Sequence, residues 1–181
     1  MTKVTLFIAT SQDGFIADLD GGIDWLPQPS EEIGDFGYQN LIDDISMIFM
    51  GHKSYRQILT FGDWAWPEKK TYVFTSQNLK ETSYDVTFVN QNITSFMNKI
   101  RSEKANENIW LLGGAELAKS FSDCSQIDEY IITIIPVNLG AGIKLDLDYS
   151  QFIQTDEISL DGIVQKTFIK RQIQSDIAAL H

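Results

Sequence analysis

Apolar residues in this chain gather in short continuous runs, and helix-like stretches separate the runs. Lys3 to Ala9 is such a run, as are Ile45 to Met50, Thr71 to Thr75, Val86 to Val89, Ile109 to Leu112 and Ile127 to Pro136. Apolar runs this short, bounded by turn residues, predict strands, most of them buried on both faces. Gly51 to Leu59, Ile93 to Glu103 and Gly114 to Phe121 read as helices between them. Ser30-Glu-Glu-Ile33 predicts the opening of the first helix, with Ser30 as N-cap and acidic residues in the first turn. Ser11-Gln-Asp-Gly14 is a turn, and Ile16 to Pro29 is a Gly/Asp/Pro-rich loop carrying Trp25. Gln151 to Leu160 and Ile163 to Ile173 predict an antiparallel pair turning at Asp161-Gly162. From Ser175 the chain reads as a short surface helix or a fraying tail.

Strands alternating with helices, closed by a hairpin, imply an α/β fold: a mostly parallel central sheet flanked by helices, with a C-terminal antiparallel hairpin. Neither a repeat nor a linker interrupts the 181 residues, so one domain is expected over 1–181. The single cysteine, Cys124, cannot form an internal disulfide, which favours a reducing compartment and a cytoplasmic protein. No apolar run reaches membrane-spanning length. The net charge of −11 argues against nucleic acid and anionic membranes as partners. It also means that a phosphate-bearing ligand must be held by a few local donors.

Three strand-to-helix junctions offer such donors. They are Met50-Gly51-His52-Lys53-Ser54, Phe74-Thr75-Ser76-Gln77 and Leu111-Leu112-Gly113-Gly114-Ala115-Glu116. Each combines backbone N–H groups at a helix start or turn with glycine, hydroxyls or a cation. Glycine before a helix is more often a plain turn. Three such junctions on one sheet edge suit a long bis-phosphate ligand, because ligands of open α/β sheets sit beyond the carboxyl ends of the strands. Two histidines and one cysteine give no zinc spacing, and no metal site is expected. Asp128-Glu129 reads as a structural device at a strand start.

The order of these features resembles dihydrofolate reductase. The series Ile109-Trp-Leu-Leu-Gly-Gly-Ala-Glu-Leu117, Ile127-Asp-Glu-Tyr130 and Pro136-Val-Asn-Leu-Gly-Ala-Gly-Ile143 resembles more closely the reductase domain of the bifunctional riboflavin-biosynthesis deaminase/reductase and its stand-alone bacterial relatives. The resemblance runs to about Ile169. It implies NADPH as cofactor and a small heteroaromatic substrate, with a second copy of the chain as an optional partner. By position, Gly113 and Gly114 match the glycine pair that approaches the nicotinamide and pyrophosphate, with Ala115, Glu116 and Leu117 following. Gly51 and Ser54 match the helix start that meets the pyrophosphate, and His52 and Lys53 stand where basic residues meet the adenosine phosphates. Thr75, Ser76 and Gln77 match the loop around the adenosine ribose and its 2′-phosphate. Ala9 matches the first-strand alanine facing the nicotinamide amide, and Trp25 the mobile-loop tryptophan beside the active site. Lys53 as a solvated helix residue and Trp25 as a loop anchor are the plain alternatives.

Reducing a C=N or C=O carbon leaves charge on the heteroatom, so a proton donor helps. Counting from Trp25 points to Ser30 or Glu31, and counting back from Gly51 points to Asp35. Asp35 is expected on the first helix, three residues from Glu32 and near the same face. First-turn acids more often only offset the helix dipole. After Pro67, Glu68-Lys69-Lys70 stands where dihydrofolate reductases clamp the glutamyl carboxylate with arginine, and lysine cannot form that fork. The resemblance therefore implies reduction of 5-amino-6-(5-phosphoribosylamino)uracil before reduction of dihydrofolate. A catalytically silent nucleotide-binding module is the rival from another class. The chain carries no His-x-Glu and Pro-Cys-x-x-Cys deaminase pattern, so a riboflavin role needs a partner deaminase or is vestigial.

Overall fold

A computed structural model of the chain describes residues 1–28, 34–77, 79 and 84–172. Ten strands and four helices follow along it. They are β1 (Lys3–Ser11), β2 (Phe15–Ala17), α1 (Tyr38–Asp44), β3 (Met47–Gly51), α2 (His52–Ile58), β4 (Lys70–Phe74), β5 (Val86–Val89), α3 (Ile93–Glu103), β6 (Asn108–Gly113), α4 (Ala115–Asp123), β7 (Glu129–Ile135), β8 (Ile143–Lys144), β9 (Phe152–Leu160) and β10 (Ile163–Lys170). Eight of the strands form one sheet in the order β5-β4-β3-β6-β1-β7-β10-β9. Neighbours from β5 to β7 run parallel, and β10 is antiparallel to both β7 and β9. This is the architecture expected from the run pattern. The hairpin turns at Asp161 and Gly162, both with positive φ, as the favoured two-residue hairpin turn requires.

Two cores cover the two sheet faces. On one, Val4, Leu6, Met47, Phe49, Ile109, Leu111, Tyr130 and Ile132 pack against Phe96, Met97 and Ile100 of α3 and Ala118 and Phe121 of α4. On the other, Ile48, Met50, Val73 and Trp110 meet Tyr55 of α2, Trp64 and, from α1, Leu41. Asp128 and Glu129 serve the central strand: Asp128 Oδ2 accepts the Val4 N–H at 2.8 Å, and Glu129 Oε2 takes the Thr5 hydroxyl at 2.9 Å and Lys3 Nζ at 2.8 Å.

The structure departs from the sequence expectations in two places. α1 begins at Tyr38, with Gly37 at its N-cap in the left-handed region, φ 83°. Ser30-Glu-Glu-Ile33 lies outside the described residues, as does the tail from Ser175. The stretch read as the Trp25 loop opens with β2, which pairs with β8 in a small antiparallel ladder. Strands of three and two residues are too short to leave a periodic signature.

Candidate active site

Three strand ends meet on one edge of the sheet. Met50 lies opposite Gly113, and Gly51 lies opposite Phe74, so the three junctions stand side by side. Ser54, in the first turn of α2, accepts the backbone N–H of Gly114 through its hydroxyl at 3.0 Å. Gly113 has φ +106°, a conformation L side chains rarely adopt, and a Cβ there would stand 3.5 Å from Ile8 Cδ1. A Cβ on Gly114 would lie 3.3 Å from Ser54 Oγ. The peptide between the two glycines is cis.

Gly114 is the N-cap of α4, and no side chain caps that helix. The amides of Ala115, Glu116 and Leu117 stand in its first turn, where a helix offers no internal acceptor. They can receive an anion. Across from them, Lys53 Nζ lies 3.2 Å from Glu116 Oε1, and both side chains are almost fully exposed. This pair is weak in water, so Lys53 can leave Glu116 for a phosphate at little cost.

A cavity of about 400 Å³ opens beyond β4 and β5, lined by Thr75, Ser76, Asn90, Asn92, Ile93 and Leu117 among others. Thr75 Oγ1 accepts the Gln77 N–H at 3.1 Å, and Asn90 Nδ2 donates to the Ser76 carbonyl at 3.4 Å. Asn92 caps α3 by accepting from the Ser95 N–H at 3.2 Å. Residues 90–93 were not anticipated in this wall. Only Asn92, an N-cap residue before an apolar run, carried a sequence signal.

Along β1, Val4 to Leu6 are buried, but Phe7, Ile8 and Ala9 are only partly covered although the strand is interior to the sheet. Ala9 pairs with Thr133 of β7. The buried Gln165 amide donates to Thr133 Oγ1 and to the Phe36 carbonyl, each at 2.9 Å. This bridge holds the segment before α1 against the middle of the sheet, and the sequence held no sign of it.

Asp35 is placed differently from the expectation: it precedes α1 instead of lying on it. One carboxylate oxygen accepts the Gly37 N–H at 3.0 Å and the other the Gln39 N–H at 2.8 Å. These amides, Gln39 first, hold its pKa below the ordinary aspartate value of 3.8. The carboxylate is therefore exposed, ionised and capping a helix. Among the described residues, the buried indole nitrogen of Trp25 has no hydrogen-bond partner. Lys69 donates to the Ile45 carbonyl at 2.7 Å, and Lys70 pairs with Asp85. Neither stands free as a carboxylate clamp. Among the described residues no group of His, Cys, Asp and Glu is arranged to hold a metal, and no helix is long and apolar enough to cross a membrane.

A family model for the RibD C-terminal domain matches residues 2–157. YwjB of Bacillus subtilis, a protein described as uncharacterized, is 40% identical over 164 residues, 90% of this chain and 91% of its own. A putative riboflavin biosynthesis protein from Shewanella sp. PV-4 superposes with a TM-score of 0.81 at 27% identity, covering 94% of this chain and 99% of that one. The diaminohydroxyphosphoribosylaminopyrimidine deaminase/5-amino-6-(5-phosphoribosylamino)uracil reductase of Thermotoga maritima superposes with a TM-score of 0.71 at 15% identity. That match covers 94% of this chain but 57% of the longer protein. Dihydrofolate reductase from Enterococcus faecalis gives a TM-score of 0.67 at 13% identity, over 94% and 97% of the two chains. The fold is dihydrofolate-reductase-like.

Proposed function

The chain belongs to the RibD C-terminal domain family, and on that premise we propose that it is an NADPH-dependent reductase of a pyrimidine- or pterin-type substrate. The nearest named activity is reduction of the ribosyl group of 5-amino-6-(5-phosphoribosylamino)uracil. One observation carries the reading: Gly51, Phe74 and Gly113 end three neighbouring strands in register beside the half-open stretch Phe7 to Ala9. A long bis-phosphate ligand laid along those ends would place its far end over Ala9.

The residues fit that ligand. Gly113 and Gly114 leave room for it, and the first-turn amides of α4 with the Ser54 hydroxyl would hold its pyrophosphate. The cavity beyond Thr75 and Ser76 would take the adenosine end, with His52 and Lys53 near its phosphates. NADPH, when bound, supplies a hydride. Trp25 would stand beside the substrate from its loop. The proton for the heteroatom would arrive through water ordered on the ionised Asp35, since the carboxyl itself carries no proton near neutral pH. Gln165 anchors that segment through Phe36.

A second copy of the chain is the proposed partner. Ile153, Ile158, Leu160 and Ile169 share one face of the β9–β10 hairpin and are each 42–49% exposed. Sedimentation equilibrium tests this, a monomer at micromolar concentration refuting it. We place the protein in the cytoplasm, in keeping with its lone cysteine.

The test of function is steady-state NADPH oxidation with the phosphoribosylaminouracil and with dihydrofolate. Turnover of the uracil is expected. Tight NADPH binding with no oxidation by either compound would indicate the silent module instead.

A further inference from the structure

Gln57 lies on α2, and its side-chain amide donates to the carbonyl of Gly21, 36 residues earlier, at 2.7 Å. Gly21 sits in a tightly closed piece of chain. Asp18 Oδ1 accepts the Asp20 N–H at 2.9 Å and the Gly22 N–H at 2.7 Å. The Asp18 N–H donates to the Gly22 carbonyl at 3.0 Å, and the Gly21 N–H to the Asp18 carbonyl at 3.2 Å. A Cβ on Gly22 would stand 2.5 Å from Asp18 Oδ2, so a larger residue there would have to push the Asp18 carboxylate aside. The next turn is closed by the Leu26 N–H on the Ile23 carbonyl at 3.0 Å, and Trp25 rides inside it.

Asp18 to Leu26 is thus a stiff unit. At its root it joins the fold through the β2–β8 ladder, where Gly142 packs directly on the Ala17 carbonyl. On its other side it is tied to α2 by Gln57. The first turn of α2 carries Lys53 and Ser54, so Gln57 connects the helix of the proposed phosphate site to the loop of the proposed substrate site.

We propose that Gln57 is a positioning residue that sets the pose of Trp25 by latching Gly21 to α2. The proposal rests on the reductase reading for its consequence in turnover, but not for the latch itself. Gln57 touches no reacting atom. It acts because only the amide N–H, not its oxygen, can meet a carbonyl. While the latch holds, the Trp25 indole N–H stays out of water with no acceptor among the described residues. A buried donor left unmet is costly, so a loop free to turn would hand that N–H to solvent. The latch holds the indole in place against that cost.

The experiment labels the four tryptophans with 5-fluorotryptophan and assigns the Trp25 resonance by its loss in Trp25→Phe. In the ligand-free protein, Gln57→Ala and Gln57→Glu should move and broaden that resonance and leave those of Trp64, Trp66 and Trp110 in place. Gln57→Lys, which can donate again, should restore it. KM for the phosphoribosylaminouracil should rise roughly three- to tenfold, the scale of one neutral hydrogen bond, while NADPH affinity stays level. An unmoved Trp25 resonance in both Ala and Glu variants overturns the latch. A wild type that shows the fluorine response but never oxidises NADPH overturns the reductase reading and leaves the latch standing.

Discussion

The hydroxyl of Ser54 and the backbone N–H of Gly114, 3.0 Å apart, join the starts of two helices that follow different strands. Any side chain on Gly114 enters the 3.3 Å space in front of Ser54 Oγ. Gly114→Val should therefore abolish NADPH binding, since a branched Cβ fills the approach to the α4 amides. Fluorescence titration with NADPH checks this, alongside circular dichroism for an intact fold. Unchanged affinity would remove the glycine pair from the cofactor site.

Lys53 should discriminate between cofactors. Its Glu116 partner is exposed and easily exchanged, so a 2′-phosphate would win the cation by a charge-assisted contact. Lys53→Ala should weaken NADPH roughly tenfold, leave NADH nearly unchanged, and lose its effect at high salt. Isothermal titration at two salt concentrations separates this from a solvated helix lysine, which would weaken neither.

Asp35 should matter as an anion. Asp35→Asn should lower turnover by roughly a hundredfold, the lower scale of proton-transfer catalysis, with NADPH affinity unchanged. Because the Gln39 and Gly37 amides hold its pKa down, kcat in the wild type should show no carboxylate limb between about pH 5 and 8. A limb in that range would mean that a protonated carboxyl does the work. Full turnover in Asp35→Asn would leave Asp35 as a helix cap only.

Dihydrofolate should be a poor substrate. Lys69 is committed to the Ile45 carbonyl and Lys70 to Asp85, so the bidentate grip that arginine gives a glutamyl carboxylate is missing. Initial rates at micromolar dihydrofolate, compared with the uracil, decide it. Equal rates would promote the folate reading.

Asp13 should make stability acid-sensitive. Its carboxylate accepts from the Ser11 hydroxyl at 2.6 Å and from the Leu139 and Gly140 amides at 3.1 and 2.7 Å. These bonds, Ser11 first, hold its pKa below 3.8. Folding that depresses a carboxylate pKa adds stability above the unfolded value and loses it as the pH falls through the folded one. The urea midpoint should therefore drop below about pH 4, and Asp13→Asn should flatten that limb. Parallel curves for the two proteins would show that the contact contributes nothing.

The strands were readable because a parallel sheet buries both faces and leaves continuous apolar runs, as at Met47–Gly51 and Glu129–Ile135. The junctions were readable because glycine and hydroxyl residues interrupt those runs at one end. The entry to α1 is hard to read because it is carried by Gly37 in the left-handed region and by Asp35 reaching forward from outside the helix. Both are residue types that favour a helix start, but Ser30 followed by two acids makes the stronger linear pattern. Gln57 with Gly21, and Gln165 with Phe36 and Thr133, join distant segments through neutral side chains. Such bonds follow from the packed fold and have no spacing to betray them.

The first strand sits in the middle of the sheet, flanked by Asn108–Gly113 on one side and Glu129–Ile135 on the other. A ribosome releases Lys3–Ser11 about a hundred residues before either neighbour exists. Until then both edges of an apolar strand stand open, which is the condition under which nascent chains aggregate. Closing loops of that length also slows folding, because the entropy is lost before the pairing compensates. For this protein, synthesis must run past Ile135 before both edges of its central strand are paired.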